Sequence, residues 1–394
     1  MKILFLASRM PFPPDRGDRL RAFNVIKNLS LAGHEVHLAS FVSSEGERRI
    51  ADSLKSFCTR LLLVEMSTFA SWLSCAAALL GKIPLQAAYY KSAKMAETVR
   101  ALLKSEKFDL VYVHLFRMAQ YVPDGRPEYT VLDLTDVISR EIERSLGFRH
   151  GLNRLVYSVE LPRIRLYEAS IAPCFRECWV VSEREAEALR ALSPSARAQV
   201  VPNGVDLEKL RPLDLERENI VSFVGHLGVP HNVDAVLHFY NEIFPLVLEE
   251  WPECKFQVIG PSAHRSLLPL KRDRRVMMRG FVENLNAVLG SSSVFVAPLR
   301  YCAGLQNKVL EAMAAGVPVV ATPCVNEGLD ARPDEEILLA SDPEDFASRV
   351  VLLLRDASIR NRISANARRF VERRFSWQHA TRRIAAIEAE IGKR

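Results

Sequence analysis

Residues 298–323 read PLRYCAGLQNKVLEAMAAGVPVVATP, and the reading of this stretch decides the fold. It parses as a strand end, a glycine-bearing loop, a short helix, a helix stop and another strand. Val294, Phe295, Val296 and Ala297 form a buried-strand run that Pro298 ends. Gly304 lies in the loop, where the missing side chain lets the backbone come close to a ligand. The spacing predicts a helix from about Asn307 to Ala315, with Val309, Leu310, Met313 and Ala314 as its apolar face. Gly316 suits the C′ position, and Val317–Ala321 reads as the next strand. A loop feeding a helix N-terminus aims free backbone N–H groups and partial positive charge at one point. That favours an anion, and Lys308 in the first turn adds a full charge. Glu311, one turn deeper, is placed to accept hydrogen bonds from ligand hydroxyls. A solvated Lys308–Glu311 pair on an ordinary α/β helix fits the spacing equally well.

Outward from this stretch, strands and helices alternate through both halves of the chain. In the first half, strands are predicted at Lys2–Ser8, Glu35–Val42, Leu61–Val64, Leu110–His114, Thr130–Leu134 and Trp179–Ser182. A helix over about Asp18–Ala32, with Leu20, Phe23, Ile26 and Leu29 on one side, follows a loop that ends at Gly17. No G-x-G-x-x-G is present, so the dinucleotide fingerprint is missing. Gly17 either admits a phosphate or sugar to the backbone or only serves the turn. His114 and the Asp133/Asp136 pair fall at the C-terminal ends of parallel strands, where open α/β sheets place ligands. The second half begins at Ile220–Val224 and a loop carrying Gly225 and His226, with Asn232 as the expected N-cap of a helix to Leu248. Strands at Lys255–Ile259, Arg275–Met278 and Ile337–Ala340 complete an α/β fold of two doubly wound domains with a cleft between them.

With 394 residues, the chain suits two domains. Its 53 basic and 47 acidic residues give +6, which argues weakly for an anionic ligand or membrane surface and against a dedicated nucleic-acid binder. Seven scattered cysteines read as reduced cytoplasmic thiols, and Cys174-x3-Cys178 lacks the partners of a metal site. Ile3–Ala7 is too short for a signal-peptide core. Met66–Tyr90 is apolar but interrupted by Ser67, Ser71, Ser74, Gly81, Lys82 and Pro84, so it does not span a bilayer as one helix. Together with the arginine-rich run from Arg140 to Arg176, it reads either as a membrane-touching surface or as core helices with a solvated face.

The pattern Gly304…Lys308-Val-Leu-Glu311-Ala-Met-Ala-x-Gly316-x-Pro318 resembles the retaining GT-B glycosyltransferases of family 4. The likeness extends to Gly33-His-Glu-Val36, Pro202-Asn-Gly-Val-Asp206, Phe223-Val-Gly225 and Phe375-Ser-Trp377. The Gly304–Glu311 version is similar to a subgroup associated with exopolysaccharide and exosortase systems. This resemblance implies a GT-B fold: an acceptor-side domain over 1–206 joined by a crossover helix at 376–394, and a nucleotide-sugar domain over 207–375. It further implies that Glu311 holds the ribose hydroxyls, that Asn307–Lys308 face the diphosphate, and that Gly304 and Leu305 offer amides to the donor. Phe281 and Val282 would meet the base; Gly17, Gly225 and His226 complete the donor side. The expected activity is sugar transfer from a nucleotide-diphosphate donor to a glycan or lipid-linked acceptor, with no metal and no cofactor beyond the donor. The expected location is cytoplasmic, with peripheral contact at the inner membrane left open.

Three departures from the family pattern bear on this. Ala303 stands where the first glutamate of E-x7-E is usual, His226 and roughly His231 replace an arginine and a lysine, and Thr135-Asp136 replaces a histidine–aspartate pair. The catalytic role then falls to Asp136 or to His114. A silent glycosyltransferase-like scaffold and a sugar-nucleotide epimerase are the alternatives.

Overall fold

The structure is a computed structural model that describes residues 1–123, 128–302 and 304–393. It divides into two compact units, Met1–Pro202 with Trp377–Arg394, and Asn203–Ser376. The first unit holds strands β1 (Lys2–Ala7), β2 (Glu35–Val42), β3 (Arg60–Glu65), β4 (Leu110–His114), β5 (Tyr129–Thr135), β6 (Glu177–Val180) and β7 (Ala198–Val200). They pair in the order β3-β2-β1-β4-β5-β6-β7, all parallel. The second holds β8 (Glu218–Val224), β9 (Lys255–Ile259), β10 (Val276–Gly280), β11 (Ser292–Ala297), β12 (Val319–Ala321) and β13 (Leu338–Leu339), in the parallel order β10-β9-β8-β11-β12-β13. Both sheets are doubly wound. Strand order reverses between β1 and β4 in one and between β8 and β11 in the other, and such switch points open a crevice at the strands' C-terminal ends.

β1 shows why the sequence folds this way. It is almost wholly apolar and buried, as a strand covered on both faces must be. Leu4 and Leu6 join one core cluster, while Ile3, Phe5 and Ala7 join the other, so the period of two divides the strand between the two faces. The final helix, Gln378–Ile391, buries Ala380, Ile384 and Ile387 in the Ile3 and Phe5 cluster. Its Arg383 donates to Glu177 of β6 at 3.0 Å. The second core centres on Phe239, Phe244 and Phe256, with the rings of Phe239 and Phe256 4.6 Å apart.

Several local expectations are corrected. Gly17 is the first residue of the helix Gly17–Leu31, not the last of the loop, and the buried face runs through Arg21, Ala22, Val25, Ile26 and Leu29. Asn232 does not cap its helix: Pro230–His238 is capped at Val229, and the Asn232 side chain turns inward. The expected single helix to Leu248 is interrupted by a π-turn at Phe239–Ile243 before Phe244–Glu250. Pro245 has no N–H to continue the ladder, and the wider turn accommodates it. An unforeseen helix, Pro323–Leu329, follows the opening stretch. Met66–Tyr90 is not a pair of core helices: Thr68–Ala78 exposes Phe69, Trp72 and Leu73, and only Leu85–Tyr89 is largely covered. Among the described residues no helix is long and apolar enough to cross a membrane.

Candidate active site

The second domain's switch point is lined by the loops after β8 and β11, and each packs at glycines against its neighbour, the β9 loop and the helix after β12 respectively. A Cβ on Gly260 would lie 1.8 Å from the Gly225 carbonyl oxygen, and one on Gly225 would lie 2.9 Å from the Asn232 side chain. Gly304 has a φ of +60°, and its carbonyl oxygen would be 2.0 Å from a Cβ on Gly328 of the Pro323–Leu329 helix. Only glycine at 260 and 328 allows these loops to close this tightly. Ala303 lies outside the described residues, so the missing glutamate has no structural account.

The helix Asn307–Ala314 begins at this loop, and no described side chain caps it, which leaves amide donors directed at the switch point. Buried Asn203, from the Pro202–Asp206 motif, donates its side-chain N–H to the Asn307 side-chain Oδ1 at 3.0 Å at the first turn. Lys308 reaches back to the Asn232 Oδ1 and lies 5.3 Å over the Phe223 ring. Asn232 in turn donates to the His226 carbonyl at 3.1 Å, so one amide ties the lysine to the β8 loop. Burial lowers the Lys308 pKa to about 8. Burial likewise raises Glu311 to about 7, with Lys308 acting in the opposite direction. Among the described residues the Glu311 carboxylate makes no hydrogen bond or ion pair. A partly exposed carboxylate next to a lysine, costly to desolvate and left unpaired, is what a hydroxyl-bearing anion would satisfy. The Lys308–Glu311 pair is therefore not the solvated surface pair that the spacing allowed.

Gly280 has a φ of +65°, and its carbonyl accepts from the Gly260 N–H at 2.8 Å, which sets Phe281 on the surface beside the β9 loop. Phe281 is highly exposed and Val282 half-buried. The His226 ring accepts from the Gly228 N–H at 3.3 Å. Leu305 is buried. Cys302 and Cys324, far apart in sequence, bring their sulfurs to 3.4 Å beside this loop.

The first domain's switch point is charged. Arg9 donates to the Tyr90 hydroxyl at 2.9 Å and meets Asp18 at 3.4 Å, and Arg117 lies 5.2 Å over the Tyr90 ring. Burial would raise the Asp18 carboxyl, but Arg9, Arg117 and His114 outweigh it and hold the pKa below the ordinary value. These groups gather at Asp18, the residue that follows Gly17 in the chain. His114 is buried, with Nε2 3.0 Å from the Asp18 carbonyl and Nδ1 3.4 Å from Asp133. Both ring nitrogens are thus engaged with protein. Asp133 is paired with buried Arg21.

Asp136 is the contrasting carboxyl. It follows Thr135, whose φ of +66° is costly for a β-branched residue and marks a constrained strand end. Its Oδ1 is buried with no hydrogen-bond partner among the described residues. Burial, then Glu185 and Glu141, push its pKa well above the ordinary value. Glu185 and Glu168 accept from the Val137 and Ile138 N–H groups, both at 2.8 Å, and so cap the helix Ile138–Ser145 from outside. Among the described residues no group of three or more His, Cys, Asp or Glu side chains forms a metal site.

The site and the two sheets define a glycosyltransferase of the GT-B type. The sequence profile described as Glycosyl transferases group 1 matches residues 218–356, and that of Glycosyltransferase Family 4 matches residues 20–209; the chain belongs to this family. It is 22% identical over 393 residues to an uncharacterized 44.6 kDa protein in the cps region of Klebsiella pneumoniae, covering 95% of this chain and 96% of that one. It is also 22% identical over 317 residues to the Escherichia coli UDP-Gal:alpha-D-GlcNAc-diphosphoundecaprenol alpha-1,3-galactosyltransferase, covering 73% of this chain and 76% of that protein. Among solved structures, Anabaena Alr3699/HepE in complex with UDP and glucose superposes with a TM-score of 0.70 at 15% identity, over 99% of both chains.

Sequence reasoning missed Asn232, Gly260 and Gly328 as parts of the second domain's switch-point site, and Arg21 behind Asp133. Of these only Arg21 left a signal, a charge within the apolar stripe of an amphipathic helix.

Proposed function

We propose that the protein transfers a hexosyl group from a nucleotide-diphosphate sugar to a glycan or lipid-linked acceptor, with retention of configuration, in exopolysaccharide assembly. The observation that carries this reading is the unpaired Glu311 carboxylate beside Lys308 at an uncapped helix start. Glu311 accepts from the ribose hydroxyls; Lys308 and the Gly304, Leu305 and Asn307 amides take the diphosphate. The donor base lies against Phe281 and Val282, with Gly225 and His226 at the phosphates. The leaving diphosphate gains charge as the glycosidic bond breaks, so fixed donors at this point stabilise the transition state more than the ground state. Supporting context comes from the galactosyltransferase of E. coli, the cps-region protein and the UDP-bound Anabaena structure. No step in this scheme uses a metal.

The test is a thermal-shift panel of nucleotide sugars on the full chain, in which a true donor at 100 times its Kd adds ~2.7 kcal/mol. Glu311→Ala should weaken the identified donor by roughly tenfold or more through loss of charge-assisted hydrogen bonds, with the unliganded transition unchanged. Equal affinity of wild type and variant for every nucleotide diphosphate would remove this helix from the donor site. If the protein binds a donor but never transfers or hydrolyses it, the scaffold reading replaces the enzyme; interconversion of the free sugar nucleotide would mean an epimerase.

Within this reading Asp136 is the catalytic carboxyl on the acceptor side, and His114 positions Asp18 and Asp133. As the nucleotide diphosphate leaves with the glycosidic bond pair, the Asp136 carboxylate stabilises the positive charge that develops on the sugar. Asp136→Asn keeps the shape and removes the like-charge burden from Glu185 and Glu141. Transfer should fall by ~10²-fold or more while donor affinity and stability hold. A variant that turns over at the wild-type rate would take catalysis away from Asp136.

A further inference from the structure

The first domain carries two solvent-facing apolar stripes that its own core does not use. On the helix Thr68–Ala78, Phe69, Trp72, Leu73 and Ala76 recur at three- and four-residue spacing and all are exposed, Phe69 by 74% and Trp72 by 69%. Leu80, just past the helix, is 96% exposed. On the helix Gly151–Ile171, Leu152, Leu155, Val156 and Val159 repeat the same spacing, again exposed. The two helices are joined at a corner. The Arg163 guanidinium donates to the Leu79 carbonyl at 2.8 Å, and the Leu85 N–H donates to Glu160 at 2.7 Å. A groove of 730 Å³ runs beneath the first helix, between Ala70, Leu73 and Ala77 on one side and Tyr89 and Tyr90 on the other.

The charges around these stripes are predominantly cationic, although exposed Glu65 lines the groove and exposed Glu143 pairs with Arg165. From Ser67 to Ala96 there is no carboxylate, and Lys82, Lys91 and Lys94 are all exposed, the last two at the groove. From Arg144 to Ile171 there are five arginines, and the only carboxylates, Glu160 and Glu168, are buried. Apolar helix faces bearing tryptophan and phenylalanine, bordered mainly by cations, match the boundary between acyl chains and anionic headgroups. Two copies pressed together on this face would set Lys82 and Arg154 against their own kind, which disfavours a dimer there.

We propose that this face docks the protein on an anionic lipid bilayer, with Phe69, Trp72, Leu80 and Leu155 in the acyl boundary, Lys82, Lys91, Lys94 and Arg154 at the headgroups, and the groove open to a lipid chain. The docking does not depend on the glycosyltransferase reading, since it uses no residue of the donor site.

The experiment is flotation of the full chain with phosphatidylcholine vesicles, with and without phosphatidylglycerol. Binding should require phosphatidylglycerol and weaken roughly tenfold or more in high salt, as screened surface cations do. Trp72→Ser combined with Leu155→Ser should abolish flotation, while the thermal transition and nucleotide binding stay as in wild type. Brominated lipid should quench the wild-type fluorescence component that Trp72→Ser removes. Failure to float with anionic vesicles overturns the proposal, as does unchanged flotation of the double variant. A lipid-free dimer that the double variant converts to monomer would assign the face to a second copy instead. If vesicles bind but no nucleotide does, only the transfer reading falls.

Discussion

Lys308→Met is expected to lower glycosyl transfer by ~10²–10³-fold, the scale of removing one preorganised donor from a developing anion. The methionine keeps the stem that lies over Phe223, so the packing stays and only the ammonium is lost. In the free protein the ammonium has one neutral partner, the Asn232 oxygen, and burial already strains it towards the amine with a pKa of about 8. A diphosphate returns the charge it lacks. Binding should therefore raise the Lys308 pKa and depend on pH in a defined window. Above about 8 the free protein must take up a proton to bind, and affinity falls. Below about 7, Glu311 becomes protonated and loses the charge that strengthens its hydrogen bonds from ribose, so affinity falls there too. Isothermal titration across this range should show donor affinity greatest between the two values, with proton uptake on the alkaline side. In Lys308→Met the alkaline limb should disappear and the acid limb remain. A variant that retains both limbs, or transfers at the wild-type rate, would place the diphosphate elsewhere.

How much of this was legible in the sequence depends on whether a residue's role is local. The strand and helix order was legible because β1 and the Asn307–Ala314 helix carry their burial in their own periodicity. The loop after β11 was legible for the same reason: strand, glycine, helix start and Lys308 lie within one short stretch. Gly260 and Gly328 were not, since each matters only through the carbonyl of another loop arriving where its Cβ would stand. The same holds for Asn232, whose place in a first turn suggested a cap, whereas the tertiary fold turns it to Lys308. Thr68–Ala78 misled in the other direction. Its apolar residues have the spacing of a core helix, but periodicity gives a face and not what lies against it. His114 and Asp133 had their position at strand ends read correctly, but the partners that engage both came from a helix more than a hundred residues away in the case of Arg21.

Arg21→Met should destabilise the first domain by ~3–5 kcal/mol, the usual cost of leaving a buried charge without its partner. The Arg21 Nε lies 2.7 and 2.9 Å from the two Asp133 oxygens, and Nη1 donates to the Val201 carbonyl at 2.9 Å, with side-chain exposure of 1% and 0% for the pair. The Tyr112 hydroxyl donates to the same carboxylate at 2.5 Å and the Thr135 N–H at 3.2 Å. Burial alone would raise the Asp133 pKa; Arg21 and His114 overcome it and hold the carboxyl far below the ordinary range. The sign of the pH effect follows. A depressed folded-state pKa means that the wild-type contribution is fully present above the unfolded value of about 3.9 and is lost as pH falls towards the folded one. In Arg21→Met the carboxyl is left in a buried site without its guanidinium, so its pKa rises. The variant's deficit should then be greatest at neutral pH and shrink on acidification below about 4, where the wild type is losing the same interaction. Native-state hydrogen exchange on the β1, β4 and β5 amides reads this for the one domain, free of the second domain's transition. Arg21→Met with Asp133→Leu removes both charges and should recover part of the loss. The network also reaches the donor-side expectation for Gly17, one turn before Arg21 and beside Asp18, whose carbonyl His114 holds. The double variant should therefore regain stability without regaining full transfer. Full recovery of both would reduce the Arg21–Asp133 pair to packing alone, and an Arg21→Met protein as stable as wild type would show that the pair does not carry the strand end.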